Sequence, residues 1–273
     1  METFLRILDW PMAKPRLYGG FHLMWLVIPL IAAWGLIWLY RRSPRPEHFV
    51  RRVVLHTAAL VYMLEVLHQI NYNLTWQDGG LHLDMQWYAF PFQFCTTPMY
   101  AGLLTGVFRK GRIHRGLYAY LSTYAVFAGL CVMLYPSTIF TGEIITNVQG
   151  MVCHASMLTV GIFLYCTGYV PTEHRTLLRA MPVFGVFLLL AILMNEVAYR
   201  AGLMAAGHTF NLFFISPYCE PSLPVYSWVQ AHMPYPWCLA VYIGVFTLAA
   251  WLVLLIARGI AHSARTRHTL HAS

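Results

Sequence analysis

The chain has 273 residues, 59% of them hydrophobic and 10% charged. A soluble domain carries about 25% charged residues and a membrane span needs about 20 apolar ones, so the composition excludes a soluble protein and leaves room for many crossings. The net charge of +8 does not signal nucleic acid, because the basic residues sit in short stretches between apolar runs rather than on one soluble face.

The first twenty residues hold Arg6, Lys14 and Arg16 together with Asp9, Pro11 and Pro15, with no long apolar core before Phe21. The first apolar run therefore reads as a retained span and not a cleaved signal. Apolar runs predict seven transmembrane helices, at about 21–40, 52–70, 92–108, 117–135, 150–169, 180–199 and 237–257. The expected fold is an all-α polytopic bundle forming a single integral membrane domain over 1–273. The third run is the shortest and contains Pro98. A proline there kinks the helix and leaves the Phe94 carbonyl without its usual partner.

Arg41, Arg42, Arg45, Arg51 and Arg52 lie around the first connection, and Arg109, Lys110, Arg112 and Arg115 around the third. The connections between runs two and three and between runs four and five carry no Lys or Arg. The positive-inside rule then puts the N-terminus outside and the C-terminus in the cytoplasm. Arg6, Lys14 and Arg16 are the one discordant group. The segment 200–236 is the longest connection, rich in proline and in aromatics such as Phe210, Phe213, Phe214, Trp228 and Tyr235. Loops of this length are usually functional, and an outer lid or short amphipathic elements are expected.

With that orientation, several polar residues share one depth. Glu65 and His68 lie near the outer end of run two, Cys95 near the outer start of run three, and His154 near that of run five. Asn195 and Glu196 close run six, and His22 opens run one. At 1.5 Å per residue all fall within roughly 10 Å of the outer interface. Ionisable groups at membrane depth point to a functional site. Glu65 and His68, spaced i, i+3, read either as a mutually satisfied pair or as groups that orient a catalytic histidine or bind a headgroup. Glu-x-x-His is half of a di-iron motif, but no second copy exists, so neither a metal nor a cofactor is expected. Glu196 and Arg200 suit an i, i+4 ion pair, and Asn195 suits a cap or a ligand contact.

Six cysteines occur without CxxC or zinc-ligand spacing. Cys131 and Cys166 read as apolar filler. Cys219 and Cys238 flank the outer loop, where a disulfide is permitted. Cys95 is the preferred nucleophile, since a helix start after Pro91 and a nearby imidazolium both favour thiolate. Thr96 and Thr97 would need stronger activation, and Cys153 points away from its neighbour His154.

The run Pro11-Met12-Ala13-Lys14-Pro15-Arg16-Leu17-Tyr18-Gly19-Gly20-Phe21-His22, the Pro-Phe-Gln-Phe-Cys run at 91–95 and His154 resemble the YwaF-type bacterial integral membrane proteins. These look related to the eukaryotic transmembrane-protein-164 family, whose fold is also compared with androgen-induced-gene-1 type lipid hydrolases. The resemblance implies a bacterial cytoplasmic (inner) membrane protein acting as a cysteine- and histidine-dependent phospholipid acyltransferase. Cys95 takes the nucleophile position and His154 the partner position. Gln93 departs from the commoner bacterial pattern, which resembles Leu-Pro-Leu-His-Leu-Cys. Glu65, His68, Gln93, Asn195 and Glu196 would orient the site or bind substrate, and the partners would be membrane lipids. A lipid hydrolase would use the same residues; a transporter or receptor with a polar outer cavity is the rival class.

Overall fold

The computed structural model describes residues 1–220 and 224–270. A short helix α1 (Glu2–Leu8) precedes the long helices α2 (Gly20–Arg42) and α3 (Pro46–Asn73). An antiparallel hairpin follows, β1 (Leu74–Gln77) paired with β2 (Gly80–Leu83). The chain then forms α4 (Thr97–Val107), α5 (Gly111–Ser122), α6 (Tyr124–Leu134), α7 (Ile144–Cys166) and α8 (His174–Arg200). It closes with α9 (Pro224–His232) and α10 (Tyr235–Leu270). Counting α5 and α6 as one, six helices among the described residues are long and apolar enough to cross a membrane. The protein is an all-α polytopic membrane bundle.

Burial separates inner from outer helices. The apolar stretches of α5–α6 and of α7 are each 67% buried, against 11% for α2 and 17% for α10. α2 and α10 are apolar yet turn most of their surface outward, which only a lipid solvent makes favourable. Small residues bring the inner helices close, as expected where lipid removes the hydrophobic drive between helices. A Cβ on Gly102 of α4 would stand 2.7 Å from the Ala58 side chain, and one on Gly129 of α6 would stand 2.9 Å from the His154 carbonyl oxygen. The expected fourth span starts six residues early, at Gly111, and breaks at Thr123 (φ −119°, ψ −81°). Ser122 and Thr123 both donate side-chain hydrogen bonds to the Ala119 carbonyl, a back-bonding that bends helices.

The third expected span differs most. Its helix begins only at Thr97 and has 11 residues, and 90–96 is non-helical. Pro98 sits in the first turn of α4, where its missing N–H is harmless. The Phe94 carbonyl accepts from the Thr97 hydroxyl at 2.7 Å instead.

The bundle has a polar end and a basic end. At the polar end the N-terminal segment joins the start of α7 through Met12 N–H to Gly142 O (2.8 Å) and Ile144 N–H to Trp10 O (3.1 Å). The same end gathers the hairpin and residues 201–220. The basic end holds the tight turns after α2, α4 and α7, with Arg41, Arg42, Arg109, Lys110 and Arg112.

Candidate active site

Residues 90–97 form a turn that backbone and side-chain bonds hold from several sides. The Tyr100 hydroxyl donates to Pro91 O at 2.6 Å. Gln93 O accepts from Thr96 N–H (2.9 Å), Thr97 N–H (3.3 Å) and the Thr96 hydroxyl (2.9 Å). Thr97 Oγ1 lies 2.6 Å from the Tyr120 hydroxyl of α5. Cys95 is half-buried within this turn, one residue ahead of the cap Thr96. The sequence puts it in the first turn of a helix, whereas the structure places it ahead of the helix start at Thr97. The sequence misled because Phe90, Phe92, Phe94 and Cys95 keep the stretch largely apolar although Gln93 and Thr96 interrupt it.

α7 meets this turn through Cys153, whose thiol donates to the Cys95 carbonyl at 3.6 Å. His154 is the next residue. Its Nδ1 lies 2.6 Å from Gly150 O. A carbonyl only accepts, so Nδ1 carries the proton and Nε2 is a bare lone pair. That Nε2 is buried and has no hydrogen-bond partner. The Cys95 thiol therefore does not bond to it. The structure brings the backbone of Cys95 beside α7, within one residue of His154, and leaves the imidazole's basic nitrogen unengaged.

Glu65 on α3 is 5% exposed. It accepts from Gln69 Nε2 at 2.9 Å and from Gln149 Nε2 of α7 at 2.5 Å. Two amide donors are what a buried carboxylate requires. His68 Nδ1 stands 3.7 Å from Glu65 Oε1, too far for a hydrogen bond, and has no other partner. Its ring packs edge-on against Tyr72 at 4.3 Å. Gln149 is five residues before His154, about 7.5 Å along α7. Glu65 thus buttresses the helix that carries the imidazole.

Gln93 and Asn195 grip one loop. Gln93 donates to Asn211 O (3.0 Å) and accepts from Phe213 N–H (2.9 Å). Asn195 donates to Leu212 O (3.1 Å) and accepts from Leu212 N–H (2.9 Å). The clamps hold a turn in which Phe213 and Phe214 both adopt φ 58°, a left-handed conformation rare for aromatic residues. Glu196 is half-buried, paired with Arg200 Nε (2.6 Å) and the Tyr218 hydroxyl (2.5 Å). The hydrogen bond to that carboxylate raises the Tyr218 hydroxyl above its ordinary pKa. His22 is locked by Tyr18 N–H on Nδ1 (2.9 Å) and by Met133 O on Nε2 (2.7 Å). Cys219 and Cys238 are free thiols, bonded instead to the carbonyls of Phe210 (3.4 Å) and Met233 (3.2 Å).

A TMEM164 family pattern matches residues 17–255. The chain belongs to the TMEM164 family. No curated protein and no solved structure matches it. The TMEM164 match takes in every residue of the constellation just described and leaves out α1.

Sequence reasoning missed Gln69, Gln149 and Glu143 in this TMEM164 protein. Gln69 was within reach, since it stands at i+4 from Glu65 on one helix face. Gln149 and Glu143 carried no local signal. Glu143 accepts from Thr146 (2.9 Å) and, across the bundle, from Asn71 (3.2 Å), a contact that only the fold creates.

Proposed function

We propose that this TMEM164-family protein is a membrane-embedded acyltransferase that works on phospholipid and lysophospholipid through a thioester on Cys95. The observation that carries the reading is the buried, unpartnered Nε2 lone pair of His154, one residue along α7 from the contact with Cys95. A buried polar atom without a partner calls for an explanation, and a neutral imidazole base is one.

In the proposed reaction the Cys95 thiol gives its proton to His154 Nε2, and sulfur attacks the ester carbonyl of a phospholipid. The ester C–O bond breaks, the lysolipid alkoxide takes the proton from the imidazolium, and the acyl group remains as a thioester. A second lysolipid hydroxyl then loses its proton to Nε2 and attacks the thioester. Sulfur leaves and regains the proton. A small side-chain adjustment has to bring Sγ to Nε2, as catalytic bonds often tighten only with substrate bound.

A cavity of about 440 Å³ would let a lipid approach the turn, although neither Cys95 nor His154 lines it. It lies between α3 and the turn, lined by Tyr62, Glu65, Val66, Gln69, Pro91 and Tyr100, and exposed Tyr62 sits on its rim. Glu65, His68 and Gln149 would orient α7, while Gln93 and Asn195 would hold the 211–214 turn over the site. By the basic-residue pattern the polar end faces away from the cytoplasm of a bacterial cell. The same first half-reaction with water as acceptor gives a hydrolase, and the apolar setting of the turn favours a lipid acceptor instead.

The test is purified protein in nanodiscs containing a phospholipid with an isotopically labelled acyl chain. The expected result is a hydroxylamine-sensitive acyl adduct on the Cys95 peptide, discharged by added lysophospholipid and absent from Cys95→Ala. Label transfer that persists in Cys95→Ala would defeat the proposal.

A further inference from the structure

The largest cavity described here lies at the opposite end from Cys95. It occupies about 750 Å³ between the end of α4, α5 and α8, within the range of about 300–1,000 Å³ for ligand clefts. Its floor exists because Gly116 lets α5 approach α8; a Cβ there would stand 3.0 Å from Arg179 O. Its long wall is apolar, with Val183, Val186 and Leu190 on α8, and both Val186 and Leu190 are exposed toward lipid. Three arginines, Arg112, Arg115 and Arg179, line it as well. Among the described residues no hydrogen bond or ion pair engages these guanidinium groups.

A second cavity of about 190 Å³ adjoins the first and shares Arg115 and Arg179 with it. Its lining includes the polar side chains of His114, Tyr169 and Thr176. Tyr118 also lines it, 2% exposed, its ring packed against that of Tyr169 at 4.8 Å. An apolar slot, a cationic collar and a recess carrying polar side chains follow one another in the order of a lipid's acyl chain, phosphate and headgroup. Basic pockets between transmembrane helices are suited to anionic headgroups.

We infer that the basic end binds an anionic glycerophospholipid, its acyl chain in the α5–α8 groove, its phosphate at Arg112, Arg115 and Arg179, and its hydroxylated headgroup in the recess beside His114, Tyr169 and Thr176. This site is separate from the Cys95 turn and does not depend on the acyl-transfer reading. Arg112 and Arg115 are exposed and Arg179 is half-buried, so the collar is reachable from the bilayer surface.

The test is native mass spectrometry on the full chain in neutral detergent, titrated with phosphatidylglycerol, phosphatidylcholine or inorganic phosphate. Wild type is expected to retain phosphatidylglycerol in preference to phosphatidylcholine. The triple variant Arg112→Gln, Arg115→Gln, Arg179→Gln is expected to bind it at least about tenfold more weakly, as each basic residue near a bilayer surface contributes severalfold to anionic-lipid attraction. Val186→Trp, on an exposed face, is expected to block the slot with the collar intact and lose the lipid too. Equal retention of the two lipids, undiminished binding by either variant, or phosphate alone matching phosphatidylglycerol would each overturn the assignment.

Discussion

At the polar end, Glu65 is held by Gln69 and Gln149, Gln93 and Asn195 bracket the 211–213 backbone, and His22 is bonded on both ring nitrogens. At the basic end, Arg112, Arg115 and Arg179 surround a large groove with no protein partner among the described residues. The difference is one of solvent. Polar groups sunk among apolar helices must satisfy one another, because an unmade hydrogen bond there costs its full desolvation. Guanidinium groups at the rim stay in contact with water and headgroups and need no internal partner. His154 Nε2 and His68 Nδ1 are exceptions to the rule at the polar end, and His154 is the one that adjoins the contact with Cys95.

The largest effect expected is on activity. Cys95→Ala and His154→Ala should each reduce acyl transfer by about 10²–10⁴-fold, and the double variant should be no worse than the singles, since residues sharing one step are not additive. Multiplying losses in a nanodisc assay would show two independent contributors and return His154 to ordinary packing.

A smaller effect should appear in stability. Glu65→Ala strands the amide of Gln149 and removes one of the two acceptors of Gln69 Nε2, which keeps its bond to Ala89 O at 2.7 Å, at about 1–3 kcal/mol for each buried donor left unpaired. Thermal unfolding in detergent should show a clear drop. An unchanged midpoint would mean that water already reaches this cluster and that the contrast between the ends is overstated.

Asn195→Ala should act more locally, freeing the N–H of Leu212 and leaving its C=O only the Ile215 N–H at 3.4 Å, at a cost of about 1–3 kcal/mol. Hydrogen exchange at 211–216 should quicken while the core of α7 keeps its protection. Global loss of protection would indicate that the loop is part of the folding core.

Glu196→Gln should do least. Glu196 lies at the polar end but its pair with Arg200 is exposed, and exposed pairs of this kind contribute little. The expected result is no resolvable change in unfolding midpoint, which would show that depth, not location at one end, decides the cost.

Much of this was legible in the chain. Six of the seven apolar runs became long helices because lipid-facing sequence has to be helical to satisfy its own backbone. The Glu196–Arg200 pair followed from i, i+4 spacing. The third run did not become a full span, and no periodicity could say so. What unwinds 90–96 is a set of bonds from Gln93 to Asn211 and Phe213, 118 and 120 residues away. The placement of Cys95 ahead of a helix, and the clasp of Glu65 by Gln149, are likewise products of assembly. The kink at Thr123 had a local cause in the Ser122–Thr123 pair that could have been read.

The Gln93 clamp also has a consequence in time. Its partner Asn211 lies 118 residues downstream, so at about 5–20 residues per second of synthesis the ribosome makes it roughly 6–24 s later. During that interval α3 to α7 can enter the bilayer while the turn bearing Cys95 lacks its final anchor. The turn would thus gain this anchor after α3 to α8 are made and before α10, whose Phe246 ring packs against Phe94 at 4.9 Å. A chain halted before residue 211 is expected to leave Cys95 more open to a lipid-soluble maleimide than the full chain does; equal labelling would mean that the turn sets without its distant anchor.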